Sequence, residues 1–349
     1  MICVFGATGH TGGAAAAHLL KVGKRVRVVG RQREKLAALA KAGAESCVGD
    51  VENAGFVREA LSGAEAAYVL IPPNMATDDF RAYEDRVVDT LSSGIEAAGV
   101  RHVALLSSIG AHHAAGTGPI VAVHHFEERL KKIAGLNALF VRAGFFMENV
   151  FMGMGTIKAQ GIYAGPMPAE AAVPMIASAD IGTYSGTRLE RLDFSGTNVV
   201  HILGPRAISQ TELVAILGQA IGKSIRYVQV SLADVGQGMK QAGLKPSLIS
   251  VFLEMYEGAG KGLVAPEEGG LVLPMQTTFD TFAKQVFAPA YRSYSYWEPS
   301  KGSQTLPRRF AAAKGGRLCT RCCWLTRAAS PPWWRIRAAA RPRNVAARR

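Results

Sequence analysis

The stretch of sequence that decides the fold is MICVFGATGHTG, residues 1–12. Its apolar run, Ile2–Phe5, has the length of a buried strand, and the alanine-rich segment that begins at Gly12 has the pattern of a helix. Glycines at positions 6, 9 and 12 have the spacing GxxGxxG and lie directly between these two elements. A glycine-rich turn from a first strand into a helix is typical of sites that bind the diphosphate of a dinucleotide.

The glycines of this turn have different predicted roles. Gly6 permits the tight turn, Gly9 lets the main chain approach a diphosphate without an intervening Cβ, and Gly12 lets the helix pack close to the sheet. The amino end of the helix adds N–H groups and partial positive charge for the phosphates. The alternative is a glycine turn with a purely structural role. The predicted binding residues of the turn are Gly6, Thr8, Gly9, His10, Thr11 and Gly12.

Strands and helices alternate through the first 150 residues. Strands are predicted at 2–5, 25–29, 44–48, 66–71, 102–106 and 138–141, and helices at 12–22, 35–42, 56–61, 80–98 and 121–133. Strands that alternate with helices of this length form right-handed crossovers and a parallel sheet. The sequence therefore predicts an α/β fold, with a Rossmann-type doubly wound parallel sheet and a smaller C-terminal α/β substrate lobe.

The chain divides into three predicted segments. Residues 1–150 are the predicted NAD(P)-binding Rossmann domain. Residues 151–290 are a predicted lobe that covers the substrate, and strands of this lobe can add to the sheet of the first domain. Helices of the lobe are predicted at 210–222, 248–255 and 278–287. Residues 291–349 are a basic low-complexity tail, for which we predict disorder or a frameshifted end of the gene.

The tail differs from the rest of the chain in charge. It contains 14 of the 40 basic residues and one of the 27 acidic residues, so it carries the whole net charge of +13 and leaves the remainder neutral. A nucleic acid or an anionic lipid would therefore bind through the tail alone, and we do not expect nucleic acid as a partner of the protein. Its clustered cysteines, which lack a second ligand pair, predict no metal site: Cys319, Cys322 and Cys323.

The composition is that of a globular protein of 349 residues, of which 48% are hydrophobic. No apolar run approaches the roughly 18 residues that a membrane-spanning helix needs. No basic region precedes the first strand, as it would in a signal peptide. We therefore expect a soluble, cytoplasmic protein without a membrane partner.

The residues after the second strand indicate which dinucleotide is bound. An NAD site usually has a carboxylate there that binds the adenosine ribose, whereas a basic residue suits the additional phosphate of NADP. Here the segment reads GRQR, residues 30–33, with no acidic residue before Glu34. We expect Arg31 to bind the 2′-phosphate with Arg33 and Lys35 as helpers, so the predicted cofactor is NADP(H). The alternative is a solvated, basic start of a helix.

Several motifs resemble those of the NmrA-like group of atypical short-chain dehydrogenases/reductases. They are GATGHTG at 6–12, GR at 30–31, GDV at 49–51, LSSIGA at 106–111, HHFEERL at 124–130, VRAGFFMEN at 141–149, SADIG at 178–182 and LGP at 203–205. Ala143 stands where the group usually has proline. The resemblance covers about residues 1–290. It implies an NAD(P)H:quinone reductase-like or isoflavone reductase-like enzyme, or an NADP-sensing regulator.

The same resemblance implies roles for residues after the later strands. Asp50 and Val51 would contact the adenine, and Ile71 and Pro72 would line the cofactor near its ribose. Ser107 would lie near the nicotinamide. Together with the glycine turn and the two arginines, these residues complete the predicted cofactor site.

The sequence lacks the usual catalytic pair of the wider superfamily. None of the nine tyrosines is followed four residues later by lysine, the pair that exchanges a proton with a carbonyl in classical members. His124 and Glu128 lie four residues apart on one predicted helix face. His124 is the candidate catalytic residue, either as a proton donor to a reduced quinone or carbonyl oxygen or as a contact to the nicotinamide. The alternative is a His–Glu pair that only stabilises the helix.

The segment after the sixth strand is the predicted substrate side. Its aromatic and methionine side chains suit a flat apolar substrate such as a quinone, or pack as core between the two domains. Phe146 is a predicted substrate contact, and Asn149 is predicted to orient the segment by bonding main-chain groups. Arg142 is predicted to form a structural salt bridge.

Two functions follow from these features. The first is an NADPH-dependent oxidoreductase that transfers hydride to a quinone-like or other small conjugated acceptor. The second is a non-catalytic NADP(H)-sensing protein that binds a protein partner, which the missing tyrosine–lysine pair favours. The sequence leaves the formation of a homo-oligomer open.

Replacing Arg31 by alanine tests the predicted cofactor. We expect Arg31→Ala to weaken binding of NADPH relative to NADH by about tenfold, because the charge-assisted contact exists only with the 2′-phosphate. Calorimetric titration with both nucleotides measures the two affinities. An equal loss for both would contradict the assignment of Arg31 to the phosphate.

Overall fold

The computed structural model of the protein describes residues 1–294. The tail predicted at 291–349 lies outside the described residues from position 295 onward, as do its cysteines. Its first residues are ordered, because the helix Ala288–Ser293 includes them and Tyr291 is buried in the core. Within residues 1–294, no helix combines the length and the apolar character that crossing a membrane requires.

Strands and helices alternate regularly up to residue 143. The strands are β1 (Ile2–Val4), β2 (Val26–Gly30), β3 (Glu45–Val48), β4 (Ala66–Val69), β5 (His102–Ser108) and β6 (Asn137–Ala143). The helices between them are α1 (His10–Lys21), α2 (Arg33–Lys41), α3 (Ala54–Leu61), α4 (Phe80–Ala97) and α5 (Ile120–Lys131). Every element predicted for this part of the chain is present, with ends that differ by a few residues.

The elements after residue 143 are shorter and less regular. The strands are β7 (Phe145–Phe146), β8 (Ile162–Gly165), β9 (Val173–Ile176), β10 (Thr197–Leu203), β11 (Ala207–Ile208), β12 (Arg226–Gln229) and β13 (Val272–Pro274). The helices are α6 (Met154–Gln160), α7 (Ser178–Arg191), α8 (Gln210–Ile221), α9 (Leu232–Gln241), α10 (Pro246–Gly260), α11 (Phe279–Phe282) and α12 (Ala288–Ser293). A 3₁₀ helix spans Met147–Gly153, and a π-helical turn spans Ala283–Phe287.

Eight strands form one parallel sheet in the order β13-β10-β6-β5-β4-β1-β2-β3. The order reverses between β1 and β4, because β2 and β3 extend the sheet in one direction and the later strands extend it in the other. Ligands of doubly wound sheets bind at such a point, in the crevice outside the carboxyl ends of the strands. The predicted fold class is confirmed.

The central strands are buried on both faces of the sheet. On β1, Cys3 packs in the core beneath α3, α4 and α5, whereas Ile2 and Val4 pack in the opposite core beneath α1, α2 and α7. Strands covered by helices on both sides must be apolar at every position. This burial explains the continuous apolar runs in the sequence.

The chain beyond residue 150 extends the same sheet and adds a smaller layer. β10 pairs with β6, and β13 pairs with β10. A three-stranded sheet, β11-β9-β7, and a two-stranded sheet, β12-β8, belong to the smaller layer. Its core contains side chains of α6, α8, α11 and α12 together with the 3₁₀ helix. The parallel sheet therefore includes strands from both sides of residue 150.

Helix α7 lies directly against α1, the helix that follows the glycine turn. A Cβ added to Gly182 of α7 would lie 2.2 Å from the carbonyl oxygen of Thr11 and 2.6 Å from the Cβ of Ala14. Only glycine allows the two helices to approach this closely. Because Thr11 belongs to the first turn of α1, the contact also supports the position of that turn.

Enlarging Gly182 tests this contact. We expect Gly182→Ala to lower the free energy of unfolding by about 1–3 kcal/mol, because the added methyl group overpacks the interface between α1 and α7. The matched control is Gly260→Ala at the end of α10, where no atom lies within 4 Å of the added Cβ. Urea unfolding measures both variants. Equal stabilities of the two variants would contradict the prediction.

Candidate cofactor and active site

The glycine turn joins β1 to α1 with little space around its backbone. Gly6 has a φ of +64°, a left-handed conformation that glycine adopts most readily. A Cβ at Gly12 would lie 2.5 Å from the carbonyl oxygen of Gly6, so a larger residue would push the helix away from the strand. The N–H of Gly9 donates to the Gly6 carbonyl at 2.9 Å and closes the turn.

The amino end of α1 lies at the crevice between β1 and β4. Gly9 precedes the helix, and no side chain caps the first helical turn. The first N–H groups of a helix have no acceptor within the helix and carry partial positive charge. Gly9 and His10 are exposed, whereas Thr11 is buried. The turn therefore offers a diphosphate mainly backbone donors.

A cleft beside the turn collects residues from the loops after β1, β2, β3 and β4. Its lining consists of Gly6, Thr8, Val29, Gly30, Arg31, Gly49, Asp50, Val51, Glu52, Pro72 and Tyr83. Six of these are predicted cofactor residues: Gly6, Thr8, Arg31, Asp50, Val51 and Pro72. Glu52 and Tyr83 were not predicted, because neither residue belongs to a recognisable motif. No feature of the local sequence distinguishes them.

Arg31 provides an accessible positive charge in this cleft. Its side chain is exposed, and within residues 1–294 no carboxylate forms an ion pair with it. Arg27, four residues earlier, instead donates to Glu45 at 2.7 Å. Arg33 is exposed and begins α2. The guanidinium of Arg31 is thus available for an anionic ligand.

Asp50 and Val51 form the turn after β3. Oδ1 of Asp50 accepts a hydrogen bond from the N–H of Glu52 at 3.0 Å, while Val51 is buried against the core. The N–H of Gly49 donates to the Gly30 carbonyl at 3.2 Å. That bond ties the turn after β3 to the turn after β2, so the cleft has two walls that are joined through the backbone.

Tyr83 of α4 holds the segment after β4. Its hydroxyl donates to the carbonyl oxygen of Pro72 at 2.6 Å. Ile71 is partly buried and packs against the core below. Burial raises the pKa of Tyr83 to about 12, so the hydroxyl stays a neutral donor at physiological pH. Helix α4, which contains none of the family motifs, therefore fixes the wall formed by Ile71 and Pro72.

These residues fit a dinucleotide that carries a 2′-phosphate. Gly9 is exposed and has no Cβ that would separate its backbone from a diphosphate, while Gly12 allows the helix to pack closely against the turn. The unpaired Arg31 lies in the same cleft as the turn. The arrangement therefore presents one backbone site for a diphosphate and one guanidinium for a further phosphate.

Ser107 belongs to a buried polar cluster at the carboxyl ends of β5 and β6. It is 4% exposed, and its hydroxyl donates to Oε1 of Glu127 at 2.6 Å. The same carboxylate accepts two hydrogen bonds from Arg142, from Nε at 3.0 Å and from Nη2 at 2.7 Å. The hydrogen of the Ser107 hydroxyl is therefore already donated, and its contact with a nicotinamide stays a prediction.

Arg142 extends this cluster to the segment between α10 and β13. Its Nη1 donates to Glu267 at 2.6 Å, and this hydrogen bond lowers the pKa of Glu267. The side chains of Arg142 and Glu127 are both almost completely buried. A buried charge needs a partner of opposite sign, since its desolvation is costly. Arg142 thus forms the structural salt bridge predicted from the sequence.

His124 lies on α5 with Nδ1 2.8 Å from the carbonyl oxygen of Ala111. Because a carbonyl only accepts, Nδ1 carries the hydrogen and donates it, which leaves Nε2 as an acceptor in the neutral ring. Glu128 accepts a hydrogen bond from Lys131 at 2.6 Å rather than from His124. The loop after β5, and not the predicted His–Glu pair, therefore orients the imidazole.

Glu148, rather than Asn149, anchors the segment after β6. Asn149 is exposed, whereas the carboxylate of Glu148 accepts hydrogen bonds from the N–H of Ser178 at 3.1 and 3.2 Å. Phe146 is partly buried in β7, where it pairs with Ile176 of β9. The sequence analysis missed Glu148 because the helix that it caps begins 30 residues later.

The aromatic and methionine side chains of this segment mostly pack as core. Met147 and Met154 are fully buried, and Phe151 stacks on Phe287 with ring centroids 5.9 Å apart. Met152, in contrast, is 70% exposed. Three of these four side chains therefore pack as core, which is one of the two roles predicted for the aromatic and methionine residues of this segment.

Removing Glu127 tests the buried cluster. We expect Glu127→Ala to lower the free energy of unfolding by about 3–5 kcal/mol, because Arg142 would lose its buried partner. The matched control is Glu128→Ala, the next residue of α5, whose exposed ion pair contributes about 1 kcal/mol or less. Urea unfolding of both variants makes the comparison, and similar losses at the two positions would contradict the structural role of the cluster.

Known proteins resemble the chain over most of its length. The NmrA-like family matches residues 1–263. An NAD(P)H azoreductase of Xenophilus azovorans is 27% identical over 258 residues, which are 73% of this chain and 86% of that protein. Quinone oxidoreductase 2 of Escherichia coli (strain K12) is 27% identical over 268 residues, which are 75% of this chain and 89% of that protein.

A solved structure has the same fold. The NADPH-dependent quinone oxidoreductase of Escherichia coli, in complex with NADPH, has a TM-score of 0.68 and 22% identity over 82% of this chain and 100% of its own. At this identity the likeness concerns the fold alone. The resemblance predicted from the motifs is confirmed by the family match, which spans most of the residues that the structure describes. The chain belongs to the NmrA-like family.

Proposed function

We propose that this protein is an NADPH-dependent oxidoreductase that transfers hydride to a quinone-like or other small conjugated acceptor. The observation that carries the proposal is the cleft that joins the backbone of the glycine turn to the guanidinium of Arg31. Such a cleft can recognise a diphosphate and a 2′-phosphate of the same molecule. NADP(H) contains both groups.

Two relatives support this cofactor and this class of enzyme. An NAD(P)H azoreductase and a quinone oxidoreductase match 73% and 75% of the chain. Azo compounds and quinones are both conjugated molecules that accept two electrons. An acceptor of that kind is therefore the substrate class that we propose here.

The main contribution of the protein would be to hold the cofactor and the acceptor in the correct relative position. NADPH supplies the hydride from its nicotinamide ring when it is bound. The glycine turn would hold the diphosphate, and Arg31 and Asp50, which line the same cleft, would hold the adenosine end. The crevice at the reversal of strand order would hold the rest of the cofactor, and Ser107 at the carboxyl end of β5 would lie on that side.

Ser107 and His124 are the polar groups that we assign to the nicotinamide end. The Ser107 hydroxyl donates to Glu127, so its oxygen is free to accept a hydrogen bond from a carboxamide N–H. The hydrogen bond from Nδ1 of His124 to Ala111 orients the ring. The imidazolium form could then deliver a proton from Nε2 to the reduced acceptor.

A second candidate is a non-catalytic NADP(H) sensor that binds a protein partner. It is favoured by the sequence, in which no tyrosine precedes a lysine by four residues. It is also favoured by Glu127, whose buried carboxylate is already bound by Ser107 and Arg142 within the protein. Binding of the cofactor needs neither group.

Turnover separates the two candidates. We expect the full-length protein to oxidise NADPH in the presence of quinones or azo dyes, measured by the loss of the nicotinamide absorbance. Replacing His124 by asparagine should lower kcat by about a hundredfold, the usual contribution of a general acid. His125→Asn is the matched control, because His125 is the exposed neighbour on the same helix.

The outcomes distinguish the proposals. Tight binding of NADPH without turnover of any acceptor would favour the sensor. Turnover that is equally fast in the two histidine variants would remove His124 from the catalytic step but keep the oxidoreductase.

A further inference from the structure

We propose that the ion pair between Arg86 and Glu52 sets the preference of the adenosine cleft for NADP(H) by neutralising the Glu52 carboxylate. The inference rests on the proposed function, since it concerns the cleft assigned to the adenosine of the cofactor. Arg86 acts through Glu52 and is therefore a positioning residue. No motif in the sequence marks either side chain.

Glu52 lies where a carboxylate would affect a phosphate on the ribose. Glu52 lines the same cleft as Arg31 and Asp50. The charges of all three residues influence the hydroxyl of Tyr83, which lines the cleft as well: Arg31 lowers the pKa of that hydroxyl, and the two carboxylates raise it. Because Arg31, Asp50 and Glu52 all line this one cleft, the cation and both anions lie close together.

Arg86 neutralises one of these anions from outside the cleft. Its Nε donates to Oε1 of Glu52 at 3.0 Å, and its Nη2 lies 2.9 Å from the same oxygen. Arg86 lies three residues after Tyr83 on α4, so the two side chains are neighbours on one face of the helix. The helix that closes the cleft with Tyr83 thus also supplies the partner of Glu52.

The number of positive and negative side chains at the cleft determines how well it binds a 2′-phosphate. With Arg86 in place, two guanidinium groups oppose the carboxylates of Asp50 and Glu52, and the Asp50 carboxylate is additionally bound to a backbone N–H. Without Arg86, Arg31 alone would face two carboxylates. A 2′-phosphate would then meet net repulsion, because like charges in close proximity disfavour binding.

The same change would improve the cleft for the unphosphorylated ribose. A carboxylate that is not paired can accept hydrogen bonds from ribose hydroxyls, which is how NAD sites bind them. Glu52 without Arg86 would be such a carboxylate. With the ion pair the cleft prefers NADP(H), and without it the same cleft would prefer NAD(H).

The experiment measures this preference directly on the full-length protein. Calorimetric titrations use adenosine 2′,5′-bisphosphate and adenosine 5′-monophosphate, which differ only in the 2′-phosphate. We expect Arg86→Gln to weaken the bisphosphate by about fivefold relative to the monophosphate, the size of effect that half-exposed charges produce. The double variant Arg86→Gln with Glu52→Gln should restore the ratio of the wild type, because it removes the carboxylate that Arg86 neutralises.

A matched control excludes a general effect of lost charge. Arg129→Gln removes a guanidinium of similar exposure, which pairs with Asp89 between α5 and α4. Neither residue lines the cleft. We expect the ratio of the two affinities to be unchanged in this variant.

The failure of this inference differs from the failure of the proposed function. A wild-type protein that binds NADPH, with Arg86→Gln keeping the wild-type ratio, would overturn only the role of the ion pair. The same conclusion would follow if Arg86→Gln changed the ratio of the two affinities and the double variant did not restore it. A wild-type protein that binds neither NADPH nor the bisphosphate would overturn the proposed function and this inference together.

Discussion

The close backbone contacts at the amino end of α1 are the constraint on which the rest of the structure depends. Gly12 places the helix against the carbonyl of Gly6 on one side, and Gly182 lets α7 approach the carbonyl of Thr11 on the other. The buried face of α1, including Leu19, then fixes the helix between the sheet and α7. A site for anions that is built from backbone N–H groups has no flexible side chain to adjust, so its geometry follows directly from this packing.

Helix α7 connects that turn to the smaller layer of the protein. Its first N–H group, that of Ser178, is capped by Glu148 from the segment after β6. Asp180 accepts hydrogen bonds from the N–H and the hydroxyl of Thr277, at 3.1 and 2.8 Å, just before α11. The helix that supports the glycine turn therefore also holds the segment after β6 and the segment before α11.

The charged side chains of the described residues divide between two tasks. Glu127 and Arg142 are buried and satisfied within the protein, because an unpaired charge cannot be kept away from water at acceptable free energy. Arg31 is exposed in the cleft, where an anionic ligand can reach it. Arg86 and Glu52 lie between these extremes, since both side chains are partly exposed and Glu52 belongs to the lining of the cleft. Binding preference can therefore be tuned there at little cost in stability.

The sequence by itself determined the order of strands and helices, the glycine turn and the arginine after β2, because each depends on residues that are close in the chain. The folded protein decided which side chains meet across longer separations. Ser107 and Glu127 are 20 residues apart, and Glu148 caps a helix 30 residues away. Tyr83 reaches the cleft only because α4 packs over the end of β4. The spacing of residues along a segment determines whether it forms a strand, a turn or a helix. Which charges are buried and which side chains cap a helix depends on how distant segments pack together.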